Sequence, residues 1–323
     1  MPKLPKYSEL PIIEKTGERH AWSVWGKDDQ LGMINLLTPE RVVRAASLVK
    51  KGKVFNLEPS RSLPHPGGAA KEYASGKPSY EHHIHVSRTG RSDSADKWEL
   101  HGGLGHMDGL RHMRYREFGY YGGRQEEDLD KGVMLGIERW AQHGLVGRGV
   151  FLDVPHYFEK RGEKLDPNKR FPIRGDLMEA IAKQENVKFE PGDIMLLRTG
   201  WMRWYLGITP KERAEAHERD EAAGGLECPG IDNDKETAGW LWDHQFTLLC
   251  ADNQAVEALR TEGSDFQHRR ILALFGMGIG ELFTFEELSQ DCAQDGVYEC
   301  MFTAKPVNIP GAVGSPAHAY AIK

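Results

Sequence analysis

Three imidazoles and a carboxylate fall within one short stretch, His101-Gly102-Gly103-Leu104-Gly105-His106-Met107-Asp108-Gly109-Leu110-Arg111-His112. Imidazole nitrogen and carboxylate oxygen are the usual ligands of catalytic zinc and of manganese. The glycines between them let the backbone bend tightly around something small. His106 and Asp108 are two apart, so on a strand both side chains face the same way. His112 lies beyond a Gly-Leu turn and can swing back toward that face. The chain has 14 histidines, so abundance alone produces some clusters, and His82-His83 reads as solvated surface. For His106-x-Asp108-x-x-x-His112, spacing by itself leaves a metal site and a chance cluster both open.

The elements that would hold these residues follow from pattern. Thr38-Pro39 supplies a cap and a first-turn proline for a helix whose face is Val42, Ala45, Ala46 and Val49, ending near Gly52. Val54–Leu57, Glu81–Val86 and Trp98–Leu100 read as strands. A helix around Val133, Met134, Ile137 and Trp140 is stopped by Gly144. Short apolar runs at Gly149–Val154, Ile194–Arg198 and Phe246–Ala251, bounded by Gly, Pro or Asp, have the form of buried strands. Helical patterns fall at Leu177–Gln184, Lys211–Ala223 and Lys235–Asp243, and Thr284 with Glu287 makes a capping-box pattern ahead of Leu288. Strands interleaved with helices predict an α/β protein. The expected organisation is an N-terminal extension with the first helix over 1–50 and one domain over 51–323.

The chain resembles the metal-dependent cyclase-type hydrolases, which include bacterial kynurenine formamidase and isatin hydrolase. That family carries a His-x-Gly-Thr-His-x-Asp-x-Pro-x-His signature, and His106-Met107-Asp108-Gly109-Leu110-Arg111-His112 matches its second half. Family-like stretches recur at Trp25-Gly26-Lys27-Asp28-Asp29-Gln30-Leu31-Gly32, Gly147-Arg148-Gly149-Val150, Gly192-Asp193 and Arg198-Thr199-Gly200-Trp201. Others are Ala251-Asp252-Asn253, the run from Gly276 to Leu282, and Gly314-Ser315-Pro316-Ala317. The resemblance implies that His106 and Asp108 ligate a divalent metal, Zn2+ or Mn2+, with one or two ions per chain. It implies further that His268 and Glu281 hold the second ion and that His112 is the acid/base residue. The signature's first histidine falls on Gly102, so the first ligand position falls to His101, one residue earlier, to a water or to another side chain. On its own residues, His268 opens an apolar helical pattern and is equally a polar helix cap. Glu281 sits in the apolar run Gly278-Ile279-Gly280-Glu281-Leu282, where an unpaired carboxylate is costly to bury. The fold implied is α/β, with mixed sheets partly closed into a barrel and flanking helices. The implied assembly is a homodimer or homotetramer.

Such a site serves a hydrolase that opens an amide, lactam or related carbonyl bond of a small cyclic or aromatic molecule. The alternatives are a metal-dependent cyclase or lyase, or a non-catalytic binding protein on the same fold. Tyr115, Phe118, Tyr120 and Tyr121 either wall a substrate pocket or pack in the core. Arg111 either clamps a substrate carboxylate or forms an exposed ion pair. Trp22 and Trp25 either close over the pocket or pack in the N-terminal segment. The 323 residues carry a formal net charge of -6, with basic residues scattered among acidic ones, which argues against nucleic acid. No run reaches the ~18 apolar residues that span a bilayer. The start of the chain lacks the apolar core of a secretory signal. Cys228, Cys250, Cys292 and Cys300 form no CxxC pair, which suits buried thiols in a reducing cytoplasm.

Overall fold

The computed structural model describes residues 4–60, 82–86, 94–98, 104–132, 134–222, 224–260 and 266–323, with the backbone alone for 82–86 and 94–98. In chain order its strands begin with β1 (Ile12–Ile13), β2 (Glu18–Arg19), β3 (Val54–Asn56), β4 (His82–Val86) and β5 (Ser94–Trp98). Next come β6 (His106–Asp108), β7 (Leu145–Asp153), β8 (Phe171–Ile173), β9 (Ile194–Arg198) and β10 (Pro229–Ile231). The last five are β11 (Leu248–Ala251), β12 (Gly278–Glu281), β13 (Glu299–Ala304), β14 (Gly314–Pro316) and β15 (Ala319–Ile322).

The apolar runs become the centre of the molecule. β7, β9, β11 and β12 lie parallel, side by side, and almost every residue in them is buried. Parallel strands need long crossovers, which the helices Val154–Glu159, Gly175–Gln184, Trp201–Gly207, Pro210–Ala222 and Lys235–Asp243 supply. Antiparallel strands extend this block on both sides. The result is a nine-stranded sheet of order β14-β6-β12-β11-β9-β7-β13-β15-β3. It curls into a half-barrel flanked by helices. On β13 and β15 burial alternates, as expected where one sheet face meets solvent. Among the described residues no helix is long and apolar enough to cross a membrane, and all four cysteines are free and buried.

Several expected elements fall where pattern placed them, including Ile194–Arg198 and Lys235–Asp243. Thr38 caps the helix Pro39–Ala46 by accepting from the Arg41 amide. The first central strand starts earlier than its apolar run, at Leu145. The polar Arg148 interrupts that run in sequence, but it is buried and paired with Asp193 at 2.9 Å. The helix expected from Val133 to Trp140 is instead two short helices, Glu126–Gly132 and Glu138–His143. Leu135, with φ of 59°, lies between them. The capping box at Thr284 and Glu287 does not form. The Thr284 amide donates to Leu57 O at 3.0 Å, and the helix Glu286–Asp295 starts after Phe285 with no side-chain cap. The strand expected at Trp98–Leu100 overlaps β5 only at Trp98, and residues 99–100 lie outside the described set.

The carboxyl ends of the parallel strands carry charge inside the protein. Arg198 joins Asp153 at 2.8 Å and Glu286 at 2.9 Å. Asp252, fully buried, accepts from the Thr199 amide, the Thr199 hydroxyl and the Gly200 amide at 2.6, 2.7 and 2.9 Å. The amide of Asp153 donates to Glu185 at 3.0 Å. Burial pushes the Glu185 carboxyl up to about 9, against the pull of that amide.

A pH dependence follows. Folded Glu185 keeps its proton up to about pH 9, whereas the unfolded side chain releases it near its ordinary value of 4.5. Its stabilising contribution is therefore full below the unfolded value and is lost as pH rises toward the folded one, by at most about 1.4 kcal/mol per pH unit. Glu185→Gln mimics the neutral acid and should flatten the fall in urea midpoint across this window. A decline as steep as that of the wild type would contradict the assignment.

Candidate metal centre

The strand pairing around β6 assembles the site. On one side β6 pairs antiparallel with β12, placing His106 opposite Glu281 and Asp108 opposite Ile279. On the other side β14 places Pro316 opposite His106 and Gly314 opposite Asp108. His106 and Asp108 therefore project from one face, with Glu281 beside His106 on the neighbouring strand. Gly105 makes the approach to β6 possible. Its φ is 63°, and a Cβ there would lie 2.8 Å from Pro59 and 2.9 Å from Glu58. After β6 the chain turns at once, with the His112 amide donating to Gly109 O at 2.9 Å. That turn brings His112 Nδ1 within 3.6 Å of Asp108 Oδ1.

His106 Nε2 stands 3.2 Å from Glu281 Oε2 and 3.8 Å from Asp108 Oδ1. His268, just before the π-helical segment Arg269–Phe275, completes the group. Its Nε2 lies 2.6 Å from Glu281 Oε1 and 3.8 Å from Asp108 Oδ2. It makes no side-chain cap bond, so the helix-cap alternative is not what the imidazole does. Wide π-turns inside helices recur at functional sites. His106, Asp108, Glu281 and His268 are all buried, whereas the His112 side chain is 27% exposed. The structure thus unites five residues singled out from sequence. The sixth, His101, lies outside the described residues, as do the side chains of His82 and His83.

The donor set fits a divalent cation. Ligands at 2.0–2.2 Å from a tetrahedral ion are separated by about 3.4 Å, and the observed contacts of His106 with Glu281 and Asp108, 3.2 and 3.8 Å, bracket that value. One oxygen of each of Asp108 and Glu281 and one nitrogen of His106 lie within 4.8 Å of one another. Charge points the same way. Asp108, Glu257 and Glu281 are three buried carboxylates on this cluster. Burial alone would lower the pKa of His268, but the facing Glu257 and Glu281 hold it well above the ordinary imidazole value. Burial would raise Glu281, and His268 and His106 hold it low. Among the described residues Glu281 Oε1 has no aligned hydrogen-bond donor despite its short contact with His268. A divalent cation would satisfy a buried acceptor of this kind.

Other candidates resolve toward packing. Tyr115 and Tyr121 are fully buried in the main core, and Phe118 and Tyr120 pack against it. The Tyr121 hydroxyl donates to Asp29 at 3.1 Å. Arg111 pairs with the exposed Asp130 at 2.6 Å. Trp22 donates to Ala273 O at 2.7 Å and its ring lies against Gly123, so it anchors the N-terminal segment. Glu257 escaped sequence reasoning. The available signal was a lone carboxylate in the otherwise apolar Ala255-Val256-Glu257-Ala258.

The family described as putative cyclase matches residues 62–258, and the chain belongs to it. A crystal structure of a novel cyclase is 30% identical, covers 94% of this chain and 99% of its own, and superimposes with a TM-score of 0.78. An isatin hydrolase bound to the product analogue thioisatinate is 16% identical, covering 88% of this chain and 98% of its own, with a TM-score of 0.56. Isatin hydrolase A from Ralstonia solanacearum is likewise 16% identical, covering 89% and 99%, with a TM-score of 0.56. At that identity the two hydrolases share the fold. No curated protein matches the chain.

A cation bound to this buried group stabilises the folded state over the unfolded one. Chelator-stripped protein should melt at a lower temperature than protein resupplied with zinc or manganese. At a hundredfold excess over Kd the gain is about 2.7 kcal/mol. A melting temperature that moves with neither ion would contradict a cation site.

Proposed function

We propose that the chain is a metal-dependent hydrolase that opens the amide or lactam bond of a small cyclic or aromatic substrate. The observation that carries this is the convergence of His106, Asp108, Glu281 and His268 in one buried group, with two imidazoles in contact with two carboxylates. Those four residues would hold the ion. A bound divalent ion supplies water of lowered pKa and polarises a carbonyl oxygen.

The rest of the chemistry belongs to the chain. Asp108 contacts both sides of the group, with one oxygen toward His106 and His112 and the other toward His268. This leaves His112 at the rim, beside the ligands and 27% exposed, where a substrate can reach it. An imidazole there accepts the proton released by water and passes it to the departing nitrogen, a general acid/base role that histidine commonly fills. The family's description as putative cyclase supports a second use of the same residues, in which His112 moves a proton during ring closure rather than ring opening.

His112→Ala should lower turnover by about 10²–10⁴-fold while metal binding is retained. Activity on formanilides, isatins and lactones separates the two uses. Opening of an isatin or formanilide supports the hydrolase, and conversion in the ring-closing direction alone would overturn it. Full turnover by His112→Ala would remove the residue from its assigned role.

A further inference from the structure

We propose that Glu257 is a positioning residue of this centre, one that holds His268 by Nδ1 so that Nε2 is presented to Asp108 and Glu281, an inference that rests on the metal-centre proposal above. The contact is short and buried. His268 Nδ1 lies 2.6 Å from Glu257 Oε2, and Glu257 is 1% exposed. Across the same ring, Nε2 meets Glu281 at 2.6 Å and Asp108 at 3.8 Å. A neutral imidazole carries one proton, and a carboxylate on Nδ1 fixes that proton there and leaves the Nε2 lone pair for a cation.

The backbone of Glu257 is built for a fixed aim. Val256 before it has a φ of 59°, in the left-handed region that β-branched residues rarely enter. The Asn253 side chain donates to Glu257 O at 3.1 Å, and Ile231 bridges Glu257 from β10. Gly230 passes so close that a Cβ would fall 2.4 Å from the Glu257 carbonyl carbon. The same Asn253 accepts the Leu282 amide at 3.0 Å through its own carbonyl. One buried residue therefore ties the segment of Glu257 to the residue that follows Glu281. Packing alone gives no reason to bury a carboxylate at this point, since its ion pair among the described residues is with His268. Glu257 meets the Nδ1 edge of His268, opposite the Nε2 edge that faces Asp108 and Glu281, so it acts through the imidazole and is not itself a ligand.

The test measures metal binding rather than turnover. Full-length wild type, Glu257→Gln and Glu257→Ala are stripped with chelator, checked for folding by circular dichroism, and titrated with zinc against a chromophoric chelator. Glu185→Gln, a change at another buried carboxylate, is the control. We expect zinc affinity to fall about 10–100-fold in both Glu257 variants, as for other outer-shell partners of ligating histidines, and to stay unchanged in the control. The visible absorption of cobalt(II) at saturation should also shift in Glu257→Gln and not in the control. Wild-type affinity and spectrum in a folded Glu257→Gln protein would overturn the inference while leaving the metal centre standing, as would an equal loss in Glu185→Gln. Absence of zinc binding by the wild type would overturn both.

Discussion

The antiparallel register between β6 and β12 is the constraint on which the rest of the site depends. It sets Glu281 directly opposite His106. Because side chains alternate along a strand, a slip of one residue would turn His106 and Asp108 away and bring Met107 to the site face. A three-residue strand cannot secure its own register. β6 is fixed because β12 and β14 grip both of its edges and the Ala317 amide donates to Gly105 O at 2.8 Å. Gly280, between Ile279 and Glu281, has no space for a side chain, as a Cβ there would lie 2.8 Å from Phe283 and 2.9 Å from the Cys250 thiol. Side-chain size at one glycine thus helps hold a carboxylate in place.

The parallel block gives the site its depth. Ligands of open α/β sheets gather at the carboxyl ends of the parallel strands, and Glu281 ends β12 just as Asp153 ends β7 and Arg198 ends β9. The charges at the ends of β7 and β9 are neutralised within the protein, by Arg198 with Asp153 and Glu286. Those around β6 and β12 face His106 and His268 and converge on a common point. Leu282, directly after Glu281, has a φ of 56°. That conformation is unfavourable for a side chain of this kind, and it is held by the amide bond to Asn253. Fold stability and site geometry are therefore coupled through the loop that follows β11.

Much of this was legible in the residues. The buried parallel strands announced themselves as short apolar runs, and the spacing of His106 and Asp108 was that of two side chains on one strand face. The resemblance to cyclase-type hydrolases, carried by motifs along the chain, supplied His268 and Glu281, which spacing alone could not have joined to His106. What was hidden depends on tertiary pairing. The strand expected from Gly149 begins at Leu145, because Arg148 is buried against Asp193, a partner distant in sequence. Thr284 and Glu287 had a cap's spacing, but the backbone there is spent on a bond to Leu57. Glu257 carried no motif, and its importance lies in which imidazole it faces. The aromatic residues after the signature looked equally suited to a pocket wall or a core, and burial decided for the core.

The central claim is that Asp108 lies at the heart of a cation site, and metal content tests it most directly. Wild type and Asp108→Ala are purified without added metal, and the metal per chain is measured by inductively coupled plasma mass spectrometry. About one or two equivalents of zinc or manganese are expected in the wild type, lost in the variant while it remains folded. A wild type that carries no metal, even after zinc and manganese are resupplied, would contradict it.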